Sequence, residues 1–235
     1  MTHGPNNTAP ESSHKRVELL KTVSRFPSLS AAGRELGLRL EAYRNVADSV
    51  VLGIALGGLP VAREVAMHLG APFDLIIIRR LLTPDGPGSQ ICAVNIGGST
   101  ILDEEISLST RPSTPLEHFI SDSLAELSQR EQSCRRGRPR IDLAGRIIIL
   151  VDCGIRSGST MKAAIKALRT MEPACIVAAV PVASPEGYAL VTDLVDEVVC
   201  LAQPRSFGHA GLWYEDFSRP DDDHVGELLE PFESE

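Results

Sequence analysis

No apolar run in this 235-residue chain approaches the ~18 residues that suggest a membrane span. Cysteine is sparse: five residues, at positions 92, 134, 153, 175 and 200, with no C-x-x-C pair and no metal-like spacing. The odd count excludes a complete intramolecular disulfide framework and points to a reducing compartment. The six histidines, at 3, 14, 68, 118, 209 and 224, are scattered, with no H-x-x-x-H or other ligand spacing. Positive charge is also short. Lys and Arg number 23 against 31 Asp and Glu, and the net −8 argues against a general nucleic-acid binder, since phosphate backbones favour a basic face. The first fourteen residues lack the apolar centre of a signal peptide; with Gly4, Pro5, Asn6, Asn7 and Pro10 they read as a disordered lead-in. The expectation is a cytoplasmic protein with neither membrane nor nucleic acid as partner.

With 43% hydrophobic and 23% charged residues, the remainder, 15–235, suits one well-filled α/β domain. Leu29, Ala32, Leu36, Leu40 and Tyr43 recur at helical spacing from Ser28 to about Arg44, with Ser28 or Ser30 as cap. Strands are expected over Ser49–Ile54, Asp74–Arg80, Arg146–Asp152, Ala174–Val182 and Glu197–Leu201. Helices are expected over Leu59–Leu69, from Pro115 to about Cys134, and over Thr160–Met171 and Pro185–Leu194. Alternating β and α elements with continuous apolar strands imply a parallel sheet covered by helices on both faces. The stretch 81–112, rich in Pro and Gly, breaks the alternation. It holds two short strand-like pieces, Ile91–Ile96 and Ser99–Asp103, about Gly97-Gly98, and reads as a flap or hairpin excursion from the main sheet. The basic run Arg135–Arg140 reads as a solvated link, and the acidic tail after Arg219 as a solvated, partly helical end.

One loop carries the chemistry. The apolar strand delivers Asp152 to the carboxyl end of the sheet, where open α/β sheets bind ligands. Gly154 and Gly158 permit tight backbone, Ser157, Ser159 and Thr160 add hydroxyls, and a helix starting near Thr160 offers unpaired N–H groups. The loop is a phosphate cradle with neither the lysine of G-x-x-x-x-G-K-[ST] nor a G-x-G-x-x-G pattern. A carboxylate beside such a cradle suits sugar hydroxyls or a magnesium water.

The run Val151-Asp152-Cys153-Gly154-Ile155-Arg156-Ser157-Gly158-Ser159-Thr160-Met161 resembles the signature loop of type I phosphoribosyltransferases, V-D-D-G-x-x-[ST]-G-x-T. The likeness extends to Gly53–Ala62, to Arg79–Ala93 and to Phe207–Phe217, and is closest to a branch of predicted bacterial phosphoribosyltransferases. It implies the type I fold and transfer of a 5-phosphoribosyl group from phosphoribosyl pyrophosphate (PRPP) to an unidentified small-molecule acceptor. It further implies that Cys153, Gly154, Ile155, Arg156, Ser157, Gly158, Ser159 and Thr160 hold the 5′-phosphate and that Asp152 faces the ribose. Leu56, Gly57 and Gly58 would meet pyrophosphate, with Arg79 and Arg80 neutralising it; Mg2+ would reach Asp152 indirectly, as Mg-PRPP. The two arginines are otherwise a solvated strand end.

Four departures stand against the pattern. Leu56 replaces an arginine, Cys153 the second acid, Gly88 a glutamate and Cys92 a glycine. Arg156 either contacts phosphate or points to solvent. Cys153 has no histidine near it in sequence and does not read as a nucleophile; His209 reads as a rim residue. Trp213 and Tyr214 either stack on a planar acceptor or pack on the core, with packing preferred. Two rivals follow: a non-catalytic PRPP- or phosphosugar-binding regulator that kept the fold, and a divergent transferase of specialised metabolism. Oligomeric state stays open, a homodimer being the commonest soluble assembly.

Overall fold

The computed structural model describes residues 25–54, 56–82, 90–96, 99–104 and 114–230. The lead-in 1–14 lies outside them. Five strands run parallel: β1 (Ser49–Ile54), β2 (Phe73–Leu82), β5 (Ile147–Val151), β6 (Cys175–Val182) and β7 (Glu197–Ala202). The hairpin β3 (Gln90–Ile96) and β4 (Ser99–Glu104) pairs antiparallel through β2, giving the order β4-β3-β2-β1-β5-β6-β7. The expected excursion is therefore a hairpin that continues the sheet edge and lies against the helix following β5, rather than a loose cover. Its turn, Gly97-Gly98, and the segments 83–89 and 105–113 lie outside the described residues.

Helices α1 (Leu29–Arg39) and α2 (Gly58–Leu69) cover one face, burying Leu36, Val61, Val65 and Leu69 with Val51, Ile149 and Val177. Helices α4 (Ser159–Arg169) and α5 (Pro185–Thr192) cover the other, where Ile165 and Leu168 meet Leu52, Ile148, Leu150 and Ile176. Strands buried on both faces explain the unbroken apolar runs. Ser28 caps α1, accepting from the Ala31 N–H at 3.1 Å. The helix stops before the expected Arg44, because the Leu40 N–H turns back to the Gly37 carbonyl and Asn45 takes a left-handed φ of 56°.

Helix α3 (Thr114–Arg135) ends in the basic run, and here the sequence reading needs correction. Arg135 is buried between Asp74 (2.8 Å) and Glu131 (2.7 Å), and Arg140 adds a second bond to Glu131 at 2.7 Å. Arg136 donates to the Asp223 carbonyl at 2.9 Å, and Arg138 lies 3.6 Å from Glu230. The apparent solvated link is thus a set of arginines held by the chain's own acceptors. Two of those acceptors, Asp74 and Glu131, are buried, and Asp74 is distant in sequence. The Arg136 and Arg138 contacts help dock α6 (Asp222–Leu228), whose Val225 is fully buried, so the tail through Glu230 is anchored as well as partly helical.

Burial pushes the Glu131 carboxyl up, but bonds from Arg140 and Arg135 outweigh it and hold the group below the usual carboxylate range. A folded-state pKa depressed in this way stabilises the fold above the unfolded carboxylate pKa of about 4.3, and the contribution disappears as pH falls through the folded value. Glu131→Gln removes one of the two buried carboxylates that hold Arg135, and the one that also holds Arg140, and should cost about 3–5 kcal/mol in urea unfolding at pH 7. The deficit should shrink under acid. Asp222→Asn, at the exposed Arg130 pair, should cost under about 1 kcal/mol.

Candidate functional site

Chain order reverses direction at the middle of the sheet. From β1 the chain moves outward to β2; it returns at β5, on the other side of β1, and proceeds to β6 and β7. The crevice outside the carboxyl ends of β1 and β5 is therefore the topological switch point, where open α/β sheets bind ligands. The pairing runs from Ser49↔Ile147 to Gly53↔Val151, so the loops that follow the two strands emerge side by side.

Their contact is close enough to require glycine. A Cβ on Gly58 would lie 2.8 Å from the Val151 carbonyl and 3.0 Å from the Asp152 Cα; one on Gly57 would lie 2.9 Å from the Cys153 Sγ. Gly58 also opens α2, so an N-terminal helix end faces this junction. The expected partners Gly57, Gly58 and Asp152 are thus brought together. Leu56 is not among them, since its side chain packs with Leu59, Leu75 and Leu127 in the apolar cluster behind the loop. Arg79 and Arg80 lie further along β2 than its last pair with β1, Ile54↔Ile76, which puts their backbone beyond the carboxyl end of β1, opposite Ala93 and Cys92.

The loop after β5 divides into a packed half and an open half. Asp152 Oδ1 accepts the Cys153 N–H at 2.7 Å. The Ile155 N–H donates to the Val182 carbonyl at 2.9 Å, and its side chain is buried in the α4–α5 core. Cys153 is buried in the α1–α2 core. Cys153 and Ile155, both expected to hold phosphate, therefore commit their N–H groups to the protein and their side chains to packing. The candidate cradle contracts to Arg156, Ser157, Gly158, Ser159 and Thr160.

That half is held from beneath and open above. Ser184, 4% exposed, donates its hydroxyl to the Arg156 carbonyl, while its N–H reaches the Ile155 carbonyl at 2.8 Å. Its Oγ also caps α5 through the Gly187 N–H at 2.9 Å. Gly158 has φ 79°, and a Cβ there would meet Leu190 at 2.7 Å, so both backbone and space demand glycine. The Lys162 N–H donates to the Gly158 carbonyl at 2.8 Å, so α4 starts on this loop and its N-terminal amides face it. Ser157 and Ser159 hydroxyls sit 3.1 Å apart beside them, and the Arg156 side chain is exposed. The geometry suits an anion, to which a helix dipole would contribute about 0.3–1 kcal/mol at the surface.

The carboxyl-terminal segment props the loop. Tyr214, 3% exposed, donates its hydroxyl to the Cys153 carbonyl at 2.6 Å, and the Trp213 indole donates to the Phe207 carbonyl at 3.0 Å. Both aromatics pack, and the pairing of Phe26 with Tyr214 fastens the segment to the start of α1. His209 is exposed, on the turn leading to Ala210, which packs against Gly154. Sequence reasoning passed over Ser184, although a serine before Pro185 at a helix start signals a cap. It also passed over Arg219, whose Nε would lie 3.7 Å from a Gly57 Cβ. Among the described residues no cluster of three or more His, Cys, Asp and Glu could hold a metal. A cleft of about 400 Å³ lies at the opposite, amino edge of the sheet, lined by Asp74, Arg135, Arg140 and Met171, away from both loops.

Residues 37–212 match the family model described as the phosphoribosyl transferase domain, and this chain belongs to that family. Its architecture is the type I phosphoribosyltransferase fold, with five parallel strands and helices on both faces. Two Mycobacterium tuberculosis proteins from different strains, whose names assign them provisionally to the phosphoribosyl transferases, are each 37% identical over 206 residues. That match covers 87% of this chain and 46% of theirs, so the chain spans about half the length of these relatives. The crystal structure of TT1426 from Thermus thermophilus is similar at TM-score 0.75 and 32% identity, over 87% of this chain and 97% of that one. Among the described residues no helix is long and apolar enough to cross a membrane.

Burial, and secondly the Asp152 charge, push the Cys153 thiol well above its usual range, which opposes thiolate chemistry. Peptide mapping after brief alkylation at pH 8 should find Cys153 unmodified in the native protein and modified after denaturation. Native labelling of Cys153 at the rate of the unfolded protein would contradict this placement.

Proposed function

We propose that the protein transfers a 5-phosphoribosyl group from Mg-PRPP to a small nucleophilic acceptor, releasing pyrophosphate. The observation that carries the reading is the junction at the switch point. There two helix N-termini, at Gly58 and Ser159, flank one carboxylate, Asp152. A PRPP molecule has two anionic ends and a sugar between them, and the junction offers a matching arrangement.

In this reading the amides and hydroxyls of residues 156–160 bind the 5′-phosphate. Asp152, oriented by the Cys153 N–H, accepts from the ribose hydroxyls. Gly57 and Gly58 let backbone approach pyrophosphate, with Arg79 and Arg80 on the same edge. As the C1–oxygen bond to pyrophosphate breaks, the acceptor's lone pair forms the new bond to C1. The carboxylate stabilises the positive charge that develops on the ribose, and fixing both ends of the donor supplies orientation. Mg2+ would come with the substrate and would neutralise the diphosphate, with Asp152 the carboxylate that the loop after β5 offers to it.

Leu56 and Cys153 favour a second reading, a PRPP- or phosphosugar-binding regulator, because one removes a cation and the other an acid from the site. A pyrophosphate-release assay on the purified chain, run with Mg-PRPP and a panel of bases and amines, separates the two. Release with at least one acceptor is expected; PRPP binding without release across the panel would favour the regulator. Asp152→Asn should lower turnover roughly 100-fold with an unchanged unfolding midpoint. Equal turnover would remove Asp152 from the mechanism.

A further inference from the structure

The loop after β1 offers no side-chain cation at Leu56, yet a cation stands beside it from elsewhere in the chain. Arg219 follows the segment that props the signature loop, and its Nε would lie 3.7 Å from a Cβ on Gly57. Its guanidinium sits over the Phe217 ring, 4.8 Å from the centroid, and that ring packs in turn on Tyr214 at 5.2 Å. The side chain is exposed, and among the described residues no ion pair consumes its charge.

We propose that Arg219 supplies the pyrophosphate-side cation that Leu56 lacks, so that the leaving group is bound from the carboxyl-terminal segment as well as from the loop after β1; this rests on the phosphoribosyl-transfer reading. The change at residue 153 belongs to the same device. An acid there would occupy the position of the Cys153 Sγ, on the side of Gly57 that Arg219 approaches, and would form the pair that neutralises the arginine. A cysteine side chain packed in the α1–α2 core puts no carboxylate beside the guanidinium. The two departures from the family pattern thus compensate each other: Leu56 removes one cation, and Cys153 removes the acid that would silence another. Stacking on Phe217 holds the guanidinium plane while leaving its edge N–H groups for two phosphate oxygens, a fork that a lysine cannot reproduce. Its position on the rim also leaves it in reach of an incoming anion.

The test is titration calorimetry of the full chain and of Arg219→Met and Arg219→Lys, with magnesium pyrophosphate, Mg-PRPP and ribose 5-phosphate as probes. In Arg219→Met, pyrophosphate and PRPP should bind about tenfold more weakly, on the order of 1.4 kcal/mol, with Arg219→Lys between it and wild type. Ribose 5-phosphate has no pyrophosphate and should bind all three proteins equally, which also reports an intact phosphate loop. Unchanged pyrophosphate and PRPP affinity in Arg219→Met would overturn the role of Arg219 and leave the transfer reading standing. Equal weakening of all three probes would overturn it too, by showing damage that is not specific to pyrophosphate. Wild-type protein that binds none of the probes would sink the transfer reading, and this inference with it.

Discussion

The parallel pairing of β1 with β5 is the contact on which the site depends. It joins two stretches almost a hundred residues apart in sequence, from Ser49↔Ile147 to Gly53↔Val151, and it sits where the chain reverses its direction of travel across the sheet. The core of the proposed site lies in the two loops that this pairing sets side by side. Shift the register by one residue and every side chain of β5 changes face. Ile148 and Leu150 would leave the α4–α5 core, Ile149 and Val151 the α1–α2 core, and Gly58 would lose its seat against Val151 and Asp152. The apolar cores on both faces therefore fix the geometry of a polar junction that contains few apolar atoms itself.

That junction is built more from backbone than from charged side chains. An overall charge of −8 repels an anionic donor at long range, so the attraction has to be local. In the proposed reading, helix ends at Gly58 and Ser159 provide it through fixed N–H groups that need no reorganisation. The structural cost falls on the glycines: Gly57 and Gly58 for contact with the neighbouring loop, Gly158 for its positive φ. Rigidity comes from outside the loop. Tyr214 and Ser184 take carbonyls on its inner side, and Ile155 is tied to Val182 beside a short bridge to Ala183, so the open half projects from a fixed base.

The fold was largely readable because its evidence is local. Short, β-branched apolar runs such as Ile147–Val151 and Cys175–Val182 read as strands covered on both faces, and the glycine-rich turns after β1 and β5 point to the binding edge. What escaped was set by contacts distant in sequence. The arginines of 135–140 look solvated until Asp74 and Glu131 are brought beneath them. Ile155 lies inside a phosphate-binding motif, and nothing local shows that its N–H is taken by β6. Leu56 shows its lost charge in sequence but not the direction it packs. Arg219 carries no signal at all until the carboxyl-terminal segment folds back over Gly57.

The central claim is that an anionic sugar sits on the amides that open α4, beside the loop after β1. Hydrogen–deuterium exchange on the wild-type chain, with and without saturating ligand, reads those amides directly. Ribose 5-phosphate should slow exchange in peptides covering 156–161, and Mg-PRPP should extend the protection to peptides covering 56–60. Saturating ligand with no change at 156–161, or protection confined to the cleft around Arg135 and Arg140, would contradict the account.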